Sequence, residues 1–233
     1  PVVSGMPDVV AVVGQDGAIH AASATSKSLV SLEANDKGWE EATNTSLKLT
    51  AGTDLAITAV GDKPVVLERS TGILHLPEGK TVNLDTSGLA LQQPGPDADS
   101  VLVASRNELI SVPLDGGKVT RTPSSKEKSA PEGVAAQPVR LGKCVYAAWS
   151  GSGQFVRSCS GLFSGGTETL HDDKLAASSA PIFRVNRDAI VLNDLETGSV
   201  WLPNNDLVLI DDWTDKTAQT DDNADQKDDS ANT

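Results

Sequence analysis

The chain has few aromatic residues and few residues of positive charge. Its 233 residues include only four Trp, three Phe and one Tyr. A chain of this length can bury a sizeable core, and that core must be built mainly from Val, Leu, Ile and Ala. The 19 Lys and Arg stand against 32 Asp and Glu, which gives a net charge of -13. Nucleic acids and anionic membranes both attract basic surfaces, so neither is an expected partner.

Long hydrophobic runs are also absent from the sequence. A transmembrane helix needs about 18 or more consecutive apolar residues, and no run approaches that length. We therefore expect no direct membrane insertion by this segment. The chain opens at Pro1 with no visible signal peptide, as in a piece cut from a longer protein. A leader, an anchor or further domains are therefore expected outside it.

Cysteine occurs only twice, at Cys144 and Cys159. Two β-rich runs, 145–149 and 154–158, flank a Ser-Gly-Ser-Gly turn. A hairpin folded at the centre of this turn places the two cysteines directly opposite each other, where their Cβ atoms lie within disulfide range. We predict a structural disulfide, which requires an oxidising compartment outside the cytoplasm. The alternative is a cytosolic protein with two free thiols.

Five stretches of the sequence share one pattern of a short apolar strand, a turn, a second strand, a polar turn and a third strand. They begin roughly every 45 residues, which is about the length of a four-stranded propeller blade. The stretches cover residues 8–32, 54–84, 99–123, 143–170 and 187–202. The fourth strand of each unit is expected between these stretches. The candidate segments are 46–49, 89–91, 138–141 and 181–184.

This spacing predicts an all-β fold for residues 1–210, a β-propeller with about five or six blades. Gly, Pro, Asn and Asp interrupt the sequence roughly every 8–12 residues, which favours short strands over helices. Residues 205–210 form a further strand, and we expect it to lie near residues 8–13 and to close the ring without exposed sheet edges. The alternative fold is a pair of β-sandwiches, which does not explain the even spacing.

The sequence predicts no catalytic, cofactor-binding or metal-binding residue. It lacks a G-x-S-x-G nucleophile elbow, a Walker A motif, a full G-x-G-x-x-G fingerprint and an EF-hand loop. His20, His75 and His171 have no partner at metal-ligand spacing, and we interpret them as ordinary strand or loop histidines. The first two sit at comparable strand positions. Trp39 and Trp213 lie in polar segments and are candidate ligand-binding or linker-docking aromatics.

Turn sequences add a resemblance to known propellers. The segment NDLETGSVWLPN (193–204) resembles the D-x-x-T-G turn of quinoprotein-like and YVTN-type propellers, and LERSTGILHLP (67–77) and PLDGGKVTRTP (113–123) look like weaker copies. Residues 183–213 also resemble the end of the propeller region in large actinobacterial surface proteins that carry fibronectin type III or Ig-like repeats after it. The resemblance implies a noncatalytic binding or structural module of a multidomain surface protein, located outside the cytoplasm.

The partners implied by this resemblance are a protein or a glycan at the cell surface, without a cofactor. Two other functions stay open, a glycan-active or other propeller enzyme and a sensor head for a small ligand. A central funnel lined by paired carboxylates and an arginine would favour the enzyme. Trp149 and Trp201 lie within predicted strands, and we expect them to pack in the core or between blades.

The last 23 residues, 211–233, form an acidic segment with eight Asp and two Lys. It has almost no apolar residues, which predicts a disordered tail or an interdomain linker. Deleting residues 214–233 should leave the Tm nearly unchanged, because the segment offers no apolar surface to bury. Thermal unfolding of the full and shortened chains measures the difference. A drop of many degrees would show that the segment packs against the domain.

Overall fold

A computed structural model describes residues 6–36, 38–50, 52–160 and 166–212. Five antiparallel sheets follow one another along the chain, and each is formed by one continuous stretch of sequence. The sheets are the blades of a β-propeller, which confirms the predicted fold class. The described residues form five of these blades, numbered 1–5 in chain order.

The first three blades each contain four strands. Blade 1 has β1 (Val9–Val13), β2 (Ile19–Ser23), β3 (Ser28–Leu32) and β6 (Thr43–Ser46), with a ribbon of β4 (Ala34–Asn35) and β5 (Gly38–Trp39) inserted before its last strand. Blade 2 has β7 (Leu55–Val60), β8 (Lys63–Glu68), β9 (Ile73–His75) and β10 (Thr81–Asn83). Blade 3 has β11 (Ala90–Leu91), β12 (Ser100–Ala104), β13 (Glu108–Pro113) and β14 (Thr120–Pro123).

The last two blades follow the same order. Blade 4 has β15 (Val134–Ala135), β16 (Val139–Leu141), β17 (Cys144–Ser150), β18 (Gln154–Cys159) and β19 (Gly166–His171), with β15 and β16 sharing the innermost position beside β17. Blade 5 has β20 (Pro181–Asn186), β21 (Ala189–Asp194), β22 (Val200–Leu202) and β23 (Val208–Ile210). A 3-10 turn (Pro77–Gly79) and one short helix, α1 (Asp173–Ala177), complete the described structure. Among the described residues, no helix is long and apolar enough to cross a membrane.

The predicted boundaries of the repeats are shifted by one strand in part of the chain. The stretches beginning at residues 8 and 54 start with the innermost strand, but those at 99, 143 and 187 start with the second strand of a blade. The predicted fourth strands at 89–91, 138–141 and 181–184 are instead the innermost strands of blades 3, 4 and 5, and β6 ends at Ser46 so that 47–49 lies outside it. The first and second strands of these blades are both rich in apolar residues, so the apolar pattern does not distinguish one from the other.

The predicted ring closure by a terminal strand is wrong. β23 pairs with β22 as the outermost strand of blade 5, and β1 pairs with β2 as the innermost strand of blade 1. Both terminal strands therefore complete blades of their own.

The core lies between blades, where sheet faces pack against each other. Four apolar clusters join blades 1 and 2, 2 and 3, 3 and 4, and 4 and 5. In β17, Ala147 and Trp149 pack towards blade 3, whereas Tyr146 and Ala148 pack towards Phe183 of blade 5. Successive side chains of a strand point to opposite faces, so blades 2, 3 and 4 are buried on both sides. Blades 1 and 5 each contribute one face to these clusters.

The predicted disulfide is confirmed. Cys144 in β17 is directly opposite Cys159 in β18, and the two residues form a disulfide with their Cα atoms 4.0 Å apart. The bond joins the first residue of β17 to the last residue of β18. It therefore closes a hairpin that is already held by a ladder of strand pairs.

Replacing both Cys144 and Cys159 by Ala should lower the free energy of unfolding by up to about 3 kcal/mol. That figure is the chain-entropy estimate for a loop of about 15 residues, and hairpin bridges often contribute less. Urea unfolding of the variant and the oxidised protein measures the loss. Titration of two free thiols after denaturation without reductant would contradict the disulfide.

Candidate functional site

The D-x-x-T-G sequence at residues 194–198 forms the turn between β21 and β22. The Asp194 carboxylate accepts hydrogen bonds from the Glu196 backbone N–H at 3.0 Å and from the Thr197 hydroxyl at 3.1 Å. The backbone N–H of Gly198 donates to the Asp194 carbonyl at 3.0 Å, and Gly198 has a φ of 74° that favours glycine. Burial would raise the pKa of Asp194, but these hydrogen bonds outweigh it and hold the pKa below its usual value.

The equivalent turn of blade 2 carries Glu68 in place of the aspartate. Its backbone is the same, because the Gly72 N–H donates to the Glu68 carbonyl at 2.9 Å and Gly72 has a φ of 72°. The longer side chain reaches away from its own turn. One carboxylate oxygen accepts the Thr50 backbone N–H at 3.1 Å, and the other lies 2.8 Å from His75 Nε2. Glu68 therefore joins blade 2 to the loop that leaves blade 1.

The Glu68 carboxylate of this buried pair is ionised at neutral pH. Burial favours the neutral acid and would raise the pKa of Glu68, but the hydrogen bonds from His75 and Thr50 favour the carboxylate and lower the pKa below its usual value. Because the ionised carboxylate only accepts hydrogen bonds, Nε2 of His75 carries the proton and donates it. The imidazole is thereby fixed in one orientation by a side chain with no exposed surface.

His75 lines a groove of about 360 Å³ between blades 1 and 2. Aliphatic, hydroxyl-bearing and charged side chains line its walls. The aliphatic residues are Leu29, Leu47, Val66 and Leu76, the hydroxyl residues are Ser31, Thr45, Ser46 and Thr81, and the charged residues are Lys48, Glu78 and Lys80. A pocket of mainly apolar lining with a few fixed polar groups is typical of a ligand site.

A second histidine, His20, contacts a residue of the groove wall. His20 Nδ1 lies 2.8 Å from the hydroxyl of Ser31 on the groove wall. Burial lowers the pKa of His20 below its usual value, although the charges of Asp16, Asp62 and Glu33 and the backbone of Asp62 act in the opposite direction. His20 is thus a neutral imidazole that orients the Ser31 hydroxyl.

The expectation that His20 and His75 sit at comparable strand positions is wrong. His20 lies on the second strand of its blade and His75 on the third, so their positions are not equivalent. Both nevertheless face the same interface between blades. His171 lies apart from them at the end of β19, exposed and 3.0 Å from Asp173. The signal that points to the groove in the sequence is Glu68, which stands at the turn position that Asp194 occupies in blade 5.

The tryptophans lie outside this groove. Trp39 is exposed on the ribbon of blade 1, where it pairs with Ala34, and Trp213 lies outside the described residues. Trp149 and Trp201 are fully buried, as expected, and their Nε1 groups donate to the Ser105 carbonyl at 2.6 Å and to Asp172 at 3.2 Å. No group of three or more potential metal ligands occurs within the part of the chain that the structure describes.

Comparisons with known proteins identify the fold but not a family. No family profile and no curated protein sequence matches the chain. A virginiamycin B lyase from Staphylococcus aureus is similar in structure, with a TM-score of 0.59, 13% identity, and coverage of 86% of this chain and 67% of the lyase. A putative 6-phosphogluconolactonase from Bacteroides fragilis has a TM-score of 0.51 and 12% identity, with coverage of 86% of this chain and 68% of its own. These similarities establish a propeller fold and no shared activity.

Replacing Glu68 by Ala should lower the free energy of unfolding by about 2–3 kcal/mol, because it leaves the buried Nε2–H of His75 and the Thr50 backbone N–H without their acceptor. Urea unfolding at neutral pH measures the loss. Glu78→Ala is the matched control, since Glu78 pairs with Lys80 at the surface and such pairs contribute about 1 kcal/mol or less.

The pH dependence provides a second measurement on the same two proteins. The folded pKa of Glu68 is depressed, so its stabilising contribution is complete above the unfolded pKa and is lost as the pH falls through the folded pKa. The stability of the natural chain should therefore fall more steeply in acid than that of Glu68→Ala. If stability fell equally steeply with pH in both proteins, or if Glu68→Ala lost less than about 1 kcal/mol of unfolding free energy, an ionised Glu68 that binds His75 and Thr50 would be contradicted.

Proposed function

We propose that the protein is a noncatalytic binding module that works outside the cytoplasm and holds a segment of a glycan in the groove between blades 1 and 2. The observation that carries the proposal is the groove itself, with hydroxyl groups on its walls and an imidazole fixed by Glu68. Sugar hydroxyls both donate and accept hydrogen bonds, as the groove hydroxyls do. The aliphatic side chains match the C–H faces of a sugar ring.

The disposition of the carboxylates favours binding over hydrolysis. Glycoside hydrolysis uses two carboxyl groups about 5–10 Å apart that flank the scissile bond. Glu68 is fully buried and both of its oxygens accept hydrogen bonds from the protein. Glu78, the acidic side chain that lines the groove, is paired with Lys80. The described lining of the groove therefore contains one carboxyl group, not the pair that such hydrolysis uses.

The second candidate function is an enzyme, and the His75–Glu68 pair favours it. A histidine oriented by a buried carboxylate is a common arrangement for general acid–base catalysis. The similar Staphylococcus aureus protein is named as a lyase. In that role Glu68 would hold the Nε2 proton of His75, and Nδ1 would be the nitrogen that accepts a proton from the substrate.

The proposed location and domain organisation rest on the disulfide and on the turn resemblance. A disulfide between Cys144 and Cys159 is expected where the environment is oxidising. We place residues 1–210 in the propeller and residues 211–233 in an acidic linker or tail of a larger bacterial surface protein. Trp39 and Trp213 remain candidate contacts for a protein or glycan partner, and nucleic acid is not a proposed partner.

A panel of bacterial cell-wall and capsular oligosaccharides tests the proposal by isothermal titration calorimetry, with analysis of the recovered sugar. His75→Gln and Thr45→Ala should each weaken binding about tenfold or more, which corresponds to ~1.4 kcal/mol. Thr45 is an exposed wall residue, so its replacement leaves the fold intact. His171→Gln, the matched control outside the groove, should bind as the natural chain does.

The recovered sugar separates the two candidate functions. Unchanged oligosaccharide after long incubation is the expected result. Cleaved or rearranged product that is lost in His75→Gln would favour the enzyme. Absence of binding to every oligosaccharide, or binding that neither groove variant weakens, would refute the glycan-binding groove.

A further inference from the structure

We infer that blades 1 and 5 are the two ends of an interrupted ring, and that the gap between them is filled by two further four-stranded blades from β-sheet sequence other than these 233 residues. The inference concerns an interaction surface and is independent of the proposed glycan groove. It starts from the two sheet faces that no core cluster of the described residues includes.

The free face of blade 5 is mostly apolar, with the exposed Arg184 opposite Val191. In the strand pairing, Asn193 is opposite both Ile182 and Val200, and Leu202 is opposite Val208. These side chains therefore lie on the sheet face opposite to that of Phe183 and Trp201. Its aliphatic members are Ile182, Val191, Val200, Leu202, Val208 and Ile210, and all of them retain solvent exposure, which reaches 44% at Val208. Contiguous exposed aliphatic faces of this kind mark interaction sites.

A buried polar atom on the same face lacks a partner. The side-chain oxygen Oδ1 of Asn193 is buried and accepts no hydrogen bond from the described residues. Buried acceptors are almost always paired in folded proteins. A neighbouring sheet would bring a donor to this position, as Trp149 Nε1 of blade 4 does for the Ser105 carbonyl at the edge of blade 3.

Blade 1 presents the complementary free face. Val13 pairs with Ile19, and Ile19 pairs with Leu32, so the three side chains lie together on the face opposite the cluster shared with blade 2. Val13 is 56% exposed, and neighbouring Ala11 on the same face is exposed as well. This face therefore offers aliphatic surface for a further sheet.

The two free faces are of the kinds that meet at every internal interface. Each blade has one face towards the next blade in the chain and one face towards the preceding blade. Each of the four clusters joins two such faces of neighbouring blades. The face of blade 5 that points away from blade 4 and the face of blade 1 that points away from blade 2 are the two that remain. Additional blades in the gap would extend the same packing in both directions.

The similar structures give the size of the gap. The five blades overlay on 67% of the Staphylococcus aureus lyase and on 69% of a streptogramin B lyase. The unmatched third of those chains is about half as large as the matched part, which corresponds to about two blades of roughly 45 residues each. A second copy of this chain would bring five blades, which is more than such a gap holds.

Photo-crosslinking in the cells that produce the protein tests the inference. The amino acid p-benzoylphenylalanine replaces Val200 on the free face of blade 5 or Val13 on that of blade 1. Replacement of Leu195, which is 61% exposed in the turn of blade 5, is the matched control. Mass spectrometry then identifies the sequence that is joined to each position.

Positions 200 and 13 should each crosslink to strand sequences of one stretch of about 90 residues, the length of two blades, and position 195 should not. Crosslinks from position 200 to blade 1 of the same chain would overturn the inference, because the five blades would then close the ring. Crosslinks to a second copy of this chain, or no crosslink from position 200 when the protein remains folded, would overturn it equally.

Discussion

Burial of both faces of each sheet is the constraint on which the structure depends. A four-stranded blade is too thin to have a core of its own, so its side chains are buried only between neighbouring blades. Small and β-branched aliphatic residues fill these narrow layers, which explains how the chain folds with so few aromatic residues. The aromatic exceptions are Tyr146, Trp149, Phe155, Phe183 and Trp201. Both tryptophans direct their polar nitrogen to an oxygen at the edge of the layer.

One of the buried polar side chains, Glu68, supports the candidate site. Glu68 occupies the turn position where Asp194 holds its own backbone, but its longer side chain bonds to Thr50 and His75 instead. The carboxylate thereby fastens the connection between blades 1 and 2 and fixes an imidazole on the wall of the groove beside it. Structural stability and the shape of the binding surface thus depend on the same buried charge.

Local patterns made the strands, the propeller class and the Cys144–Cys159 pair predictable, because each depends on neighbouring residues or on one hairpin. The strand at which each blade begins was not predictable, since first and second strands have similar apolar sequences. The contact between Glu68 and His75 was missed for a different reason. It depends on which strands are adjacent and which face is buried, and His75 alone looks like any strand histidine.

The open arc of blades is tested most directly by distances between nitroxide labels in the isolated chain, measured by double electron–electron resonance. Labels at exposed positions 143 and 188 span two adjacent blades, and labels at exposed positions 188 and 15 span the ends of the arc. The second distance should exceed the first by more than the roughly 10 Å that separates packed sheets. Equal distances would show that blade 5 packs on blade 1 and would contradict the open arc.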